Sequence, residues 1–432
     1  MRTLRIRIVL FLFVCLAAHA ADRITDLRST ILLVSIDGFR PDYLGFETPN
    51  LNSLAERGVR AKWMIPSFPT KTFPNHYTIV TGLYPEHHGI VANNMWDNAT
   101  GTKFAPSDRE QVQNPKWWGG EPIWVTAEKQ GLLTAPLDWP GSEAEIEDTR
   151  PKYWQEFDSK VPAEERVAKL LPYLDKPAPD RPRLLTLYMN EVDEAGHTFG
   201  PGSAEVREAM AKVDAAIGKL LAGLRERGIE DQVNIIVVSD HGMAPTSRKK
   251  LVVLDGYVDL KTVNVVDWGP PIALRALDGN NAALFAKLRH VPHAKAYMEP
   301  DVPGRLHYSD SPRIMPVILL PDEGWMISSH DWVEKHSNFE HGGQHGYDNV
   351  AKSMRATFIA AGPAFASHAT LAPFSNVHLY SLMAYLLNLR PAETDGSINV
   401  FKSVLVKSTA APRRIERAPW RKEREEVAAV SY

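Results

Sequence analysis

The chain has 432 residues, of which 44% are hydrophobic and 23% charged, enough for one large α/β domain or two of average size. A formal net charge of -3 gives no positive field to hold a nucleic-acid duplex. Cys15 is the single cysteine, so disulfides within the chain and cysteine-built metal sites are excluded, and any metal must be held by His, Asp, Glu or hydroxyl groups.

Residues 1–20 read as a cleaved secretory signal: Arg2, Arg5 and Arg7 form a basic start, Ile8 to Leu16 an apolar core, and Ala18-His19-Ala20 a small-x-small cleavage site. The apolar run is short for a membrane span, so no stable anchor is expected after cleavage. Loss of the three arginines leaves 46 basic against 52 acidic residues, a mature charge of -6. An exported protein of this size without disulfides suits a bacterial periplasm.

Ile31 to Ile36 is a continuous apolar run ending in Asp37-Gly38, the pattern of a central parallel strand. A helix follows, with Thr48-Pro49 at its start and Leu51, Leu54 and Ala55 on one face. Asn75 to Thr81 reads as a second helix, with Thr72 just ahead of an N-terminus whose free N–H groups favour an anion. Residues 106–160, rich in Trp, Pro and Gly, are expected to be an irregular elaboration near the site. Arg183 to Met189 and Asn234 to Ser239 repeat the strand pattern, and Ser203 to Arg225 between them has helical periodicity. Thr357 to Ala361 is a later strand and His378 to Leu389 a late helix. The tail from 412 to 432 is charged and lies outside the expected catalytic domain, residues 21–411. The alternation predicts a mostly parallel α/β sheet covered by helices on both faces, with ligands at the strand carboxyl ends.

Chemistry-bearing residues fall at those ends. Asp37 follows the first strand, Asp193 and His197 follow the strand ending near Met189, and Asp240-His241 follow the strand ending at Ser239; His345 lies in a glycine-rich stretch. A strand-ending Asp is more often a helix cap, and an Asp-x-x-x-His pair more often a surface pair. Three carboxylates and three imidazoles converging on one sheet edge instead describe a divalent-metal site, and zinc accepts these ligands when thiolate is absent.

Lys71-Thr72-Phe73-Pro74-Asn75-His76 resembles the nucleophile motif of the nucleotide pyrophosphatase/phosphodiesterase family, within the alkaline phosphatase superfamily. The resemblance runs from Ile31 to Ser397 and includes Asp37-Gly-Phe-Arg40, Thr81-Gly-Leu-Tyr-Pro85, Glu121-Pro-Ile-Trp124, Tyr188, Asp193 to Pro201, Asp240-His-Gly242, His345-Gly-Tyr-Asp-Asn349 and Gly362-Pro363. It implies an alkaline phosphatase-like fold and two Zn²⁺ per chain, one held by Asp37, Thr72, Asp240 and His241, the other by Asp193, His197 and His345. It further implies that Thr72 attacks phosphorus, that Asn93 donates to a non-bridging phosphate oxygen, and that Phe73 and Tyr188 hold a nucleobase, with Trp124 also on the substrate side. Small-molecule nucleotides are then the substrates and nucleoside 5'-monophosphates the products. Animal members often carry Glu-Glu-Pro-Asp where this chain has Asn190-Glu191-Val192-Asp193, and add modules absent here. A lipid-headgroup phosphodiesterase of the same superfamily is the alternative, with a non-catalytic nucleotide- or metal-binding protein behind it.

Overall fold

The computed structural model describes residues 24–406 apart from 25, 28, 46 and 47. The expected signal segment, Cys15 and the charged tail lie outside these residues.

Strand β1 (Thr30–Ile36) is buried along its whole length. Helix α1 (Pro49–Arg57) and the short β2 (Val59–Ala61) follow, then α2 (Thr72–Thr81), α3 (Ile123–Lys129), β3 (Thr134–Pro136) and α4 (Ala163–Leu170). Next come β4 (Leu184–Met189), α5 (Glu191–Phe199), the long α6 (Ala204–Glu226), β5 (Val233–Val238) and β6 (Ala244–Ser247). A separate antiparallel sheet is then inserted, from β7 (Val263–Asp267), β8 (Ile272–Ala276), β9 (Ala294–Met298) and β10 (Val317–Pro321), with α7 (Asn281–Leu288) against it. The chain returns through β11 (His341–Gln344), β12 (Phe358–Ala361), β13 (Ala369–Leu371) and α8 (Leu379–Leu386).

The main sheet has the order β13-β2-β12-β5-β1-β4-β3. Its centre, β5-β1-β4-β3, is parallel, while β12 runs antiparallel to both its neighbours. Parallel strands buried on both faces need apolar side chains at every position, which is why their sequences run without polar alternation. In β1 the period of two divides them: Ile31 and Leu33 join the core with α2, α3 and α8, whereas Leu32, Val34 and Ile36 join the core with α1, α4 and α6.

The expected strands and helices are present within three residues at each end, the largest differences being the start of α2 and the end of α8. Two regions differ. Residues 106–160 contribute the edge strand β3 and helix α3 besides irregular chain. The inserted four-stranded sheet was not anticipated: its strands are short, and although Val317 to Leu320 in β10 is a buried apolar run, no residue of β9 is buried. Among the described residues, no helix is long and apolar enough to cross a membrane.

Candidate metal centre

Register brings the acidic groups together. Ser35 stands beside both Tyr188 and Val238, so β1, β4 and β5 end level, and Asp37, the start of α5 and Asp240 emerge at one edge. Asp193 and His197 are one turn apart on α5, with Asp193 Oδ2 3.3 Å from His197 Nε2. His345 arrives on the ribbon formed by β6 and β11. A Cβ on Gly343 would lie 2.4 Å from the Gly196 carbonyl, so only glycine lets this ribbon lie on α5. Thr72 opens α2 instead of preceding it, and its Oγ1 is 3.3 Å from His241 Nε2.

The three imidazoles are oriented alike. His197 Nδ1 faces the Gly343 carbonyl at 3.0 Å, His241 Nδ1 that of Gly242 at 2.9 Å and His345 Nδ1 that of Thr70 at 2.8 Å. A carbonyl only accepts, so each Nδ1 carries its proton, and in the neutral ring each Nε2 presents a lone pair. Those lone pairs converge on one another and on carboxylate oxygens. His197 and His345 Nε2 are 3.1 Å apart, and His241 Nε2 is 2.9 Å from Asp240 Oδ2 and 3.4 Å from Asp37 Oδ1. Asp37 Oδ1, Asp193 Oδ1 and Asp240 Oδ2 are all buried without a hydrogen-bond donor. Acceptors aimed at acceptors inside a protein are costly, and a cation among them removes the cost.

Electrostatics show this crowding at Asp37 and His345, while Asp193 and Asp240 draw charge from the imidazoles beside them. Burial, with the charges of Asp240 and Asp193, pushes the Asp37 carboxyl well above its ordinary range, against the Tyr188 hydroxyl that donates to it. Burial acts in the same sense on Asp193 and Asp240, yet His197 holds Asp193 well below the usual range, and His241 with His76 lowers Asp240. Burial lowers His197 too, but Asp193 outweighs it and lifts the imidazole to about 9. His345, buried and beside His241, is pushed well below the ordinary histidine value. The residues therefore fit divalent cations. Their division between two ions is not sharp in the protein alone, since ligand atoms of His241 lie within 4.8 Å of those of Asp193 and His345.

The neighbouring groups take distinct places. Phe73 N donates to Asn93 Oδ1 at 3.0 Å, which leaves the Asn93 amide NH₂ as the end of that side chain able to donate to an anion. The half-buried Phe73 ring packs on Phe104 and Trp118 at centroid distances of 5.7 and 6.2 Å.

The family described as Type I phosphodiesterase / nucleotide pyrophosphatase matches residues 31–348. The chain belongs to this family. An uncharacterised pyrophosphatase/phosphodiesterase of Schizosaccharomyces pombe is 44% identical over 384 residues, 86% of this chain and 79% of its own. Ectonucleotide pyrophosphatase/phosphodiesterase family member 3 of Rattus norvegicus is 41% identical over 381 residues, 85% of this chain, but this chain spans only 43% of that protein's length. Among solved structures, murine ectonucleotide pyrophosphatase/phosphodiesterase 5 is similar with a TM-score of 0.82 and 35% identity, over 87% of this chain and 100% of that one. The same murine protein, as an inactive threonine-to-alanine variant in complex with AMP, matches with a TM-score of 0.82 and 34% identity.

Within this phosphodiesterase fold, Trp124 is a correction: it is fully buried on α3, among the core side chains, and has no surface to offer a substrate. Tyr188 stands where expected, but only 7% of its surface is exposed, and its hydroxyl donates to Asp37 Oδ2 at 2.5 Å. Its ring meets His76 and Phe157. Stacking on a base therefore does not by itself account for Tyr188. His76, quoted in the motif but given no role, is a further member of the centre. It is fully buried, with Nδ1 2.9 Å from the Thr72 carbonyl and 3.4 Å from Asp240 Oδ2, and Nε2 2.8 Å from Ser35 Oγ. With both nitrogens engaged, it braces the turn that begins with Thr72, and Asp240, from behind. Its place at the end of the Lys71–His76 motif was the signal available.

Proposed function

We propose that the chain is an exported, periplasmic two-zinc nucleotide pyrophosphatase/phosphodiesterase, with residues 1–20 as a cleaved signal, 21–411 as the catalytic domain and 412–432 as an appended tail. The observation that carries this reading is the convergence of three unpartnered carboxylate oxygens and three Nε2 lone pairs on the turn that begins with Thr72. Asp37, Thr72, Asp240 and His241 would hold one zinc and Asp193, His197 and His345 the other. Such ions supply the positive charge that makes a threonine alkoxide accessible at neutral pH and neutralises a leaving oxygen.

The protein groups supply the rest. Thr72 Oγ1 attacks phosphorus in line; the P–O bond to the leaving group breaks, and a nucleotidyl-threonine ester remains. Water then attacks the same phosphorus, freeing Thr72 and releasing a nucleoside 5'-monophosphate. Asn93, its carbonyl held by Phe73 N, donates its amide to a non-bridging oxygen, and the first N–H groups of α2 face the same anion. Phe73 offers a partly exposed face for a base. The AMP complex of the murine neighbour supports nucleotides as the substrate class.

A substrate panel tests the reading: nucleotide diesters such as p-nitrophenyl thymidine monophosphate should be turned over faster than phosphocholine esters or simple monoesters. Preference for phosphocholine esters would favour the lipid-headgroup alternative. Phe73→Ala should lose about 1–3 kcal/mol of base stacking, roughly one to two orders of magnitude in kcat/KM on nucleotides, and much less on bis-p-nitrophenyl phosphate, which has no base. Equal losses on both would make Phe73 a packing residue. Tyr188→Phe should act differently, lowering metal affinity about 10–100-fold because a charge-assisted bond to a ligand carboxylate is lost. Unchanged metal affinity would mean that the hydroxyl's bond to Asp37 does not support the centre.

A further inference from the structure

One buried ion pair near the site remains without a role. Lys71 Nζ donates to Asp267 Oδ2 at 2.5 Å and to the Gly269 carbonyl at 3.2 Å, and the two side chains are 4% and 6% exposed. A buried ion pair is weak evidence of stabilisation, since desolvating both charges offsets most of their attraction. Its connections are more informative. Asp267 belongs to the inserted sheet, at the end of β7, where the register against β8 shifts between Val265 and Asp267. A bulge at that point re-aims the side chain. The other carboxylate oxygen, Oδ1, accepts from Gly269 N at 3.3 Å and, at 3.4 Å, from Asn94 Nδ2.

These contacts close a ring. From Lys71 the backbone runs through Thr72 to Phe73, whose N–H bonds Asn93; the backbone then runs to Asn94, which bonds Asp267, which bonds Lys71. The proposed nucleophile and the proposed phosphate-binding amide are thus both members of one loop of bonds, closed from outside by the inserted sheet. Building on the nucleotidyl-transfer reading above, we propose that Lys71 and Asp267 are positioning residues that fix Asn93 relative to Thr72. The pair acts through geometry: the hydroxyl that attacks and the amide that receives the developing charge must be held together, and a displacement of about 1 Å can cost on the order of 100-fold in rate.

The test uses a variant that removes both charges, Lys71→Met with Asp267→Leu, because either single change strands a buried charge and can unfold the chain. On p-nitrophenyl thymidine monophosphate the double variant should lose about 10–100-fold in kcat with KM little changed and full metal content. Asn93→Ala should cost less in that background than in the wild type, since the amide is already misplaced. Hydrogen exchange supplies a readout that needs no substrate and so separates failure of this inference from failure of the functional reading: amides of residues 91–95 should exchange faster in the double variant, with the rest of the chain unchanged. Wild-type kcat, an equal cost of Asn93→Ala in both backgrounds, unchanged exchange at 91–95, or a rise in exchange throughout the chain with loss of metal would each overturn the positioning role.

Discussion

Thr72→Ala is expected to lower turnover of nucleotide diesters by roughly three to six orders of magnitude, the scale seen when an activated nucleophile is deleted, with the melting temperature close to wild type. The size follows from the double role of one oxygen. Thr72 Oγ1 is the proposed attacking atom and a proposed metal ligand, so alanine removes the covalent route and alters the centre together. The fold should tolerate the change. Thr72 occupies the first position of α2, its side chain caps no backbone group, and alanine has the higher helix propensity. The helix is held elsewhere: it is buried from Pro74 to Thr81 and closed by Gly82 in the left-handed conformation. Thr72→Ser should retain measurable activity, because it keeps the hydroxyl and loses a methyl group. Circular dichroism and steady-state kinetics on both variants check this, and a Thr72→Ala protein with wild-type rate would require water to attack phosphorus directly.

Removal of metal should have the second large effect. Purified protein is expected to contain about two zinc ions per chain, and dialysis against a strong chelator should abolish turnover and lower the melting temperature, with zinc restoring both. The stability change has a physical source in the site itself. Once the cations are gone, Asp37, Asp193 and Asp240 share one buried edge, with three oxygens lacking donors. If zinc is present at 100 times its dissociation constant, its contribution is about 2.7 kcal/mol per independent site. That corresponds to a melting shift of roughly 3 °C per site for a domain of this size. Calorimetry with elemental analysis measures both quantities. No bound divalent metal, with activity indifferent to chelator, would end the metal account.

Much of this centre could be read from the chain because most of its proposed ligands follow apolar runs. Asp37 comes directly after, and Asp240 one residue beyond, a strand whose residues are all buried, and such strands leave a continuous apolar signature. Asp193 and His197 carry the helical spacing that places two side chains on one face. What escaped the sequence depends on contacts distant in the chain. Tyr188 reads as an aromatic at a strand end, and nothing local says that its hydroxyl will meet Asp37, 151 positions away. Nothing near Lys71 in the chain announces Asp267, which the inserted sheet brings to it from 196 positions on. The sheet itself was missed because strands such as Ala294–Met298 have no fully buried side chains and therefore no alternation to detect. Trp124 was placed at the site by resemblance alone, and a tryptophan beside Ile123 and Val125 on a short helix is equally the composition of a core.

The central claim is that phosphorus passes through Thr72 in two displacements, and the stereochemical course of hydrolysis tests it most directly. A nucleoside phosphorothioate diester of known configuration, hydrolysed in isotopically labelled water, yields a product whose configuration at phosphorus can be assigned by NMR. Each in-line displacement inverts that centre, so attack by Thr72 followed by attack of water predicts overall retention. Overall inversion would mean a single displacement by water and would contradict the account.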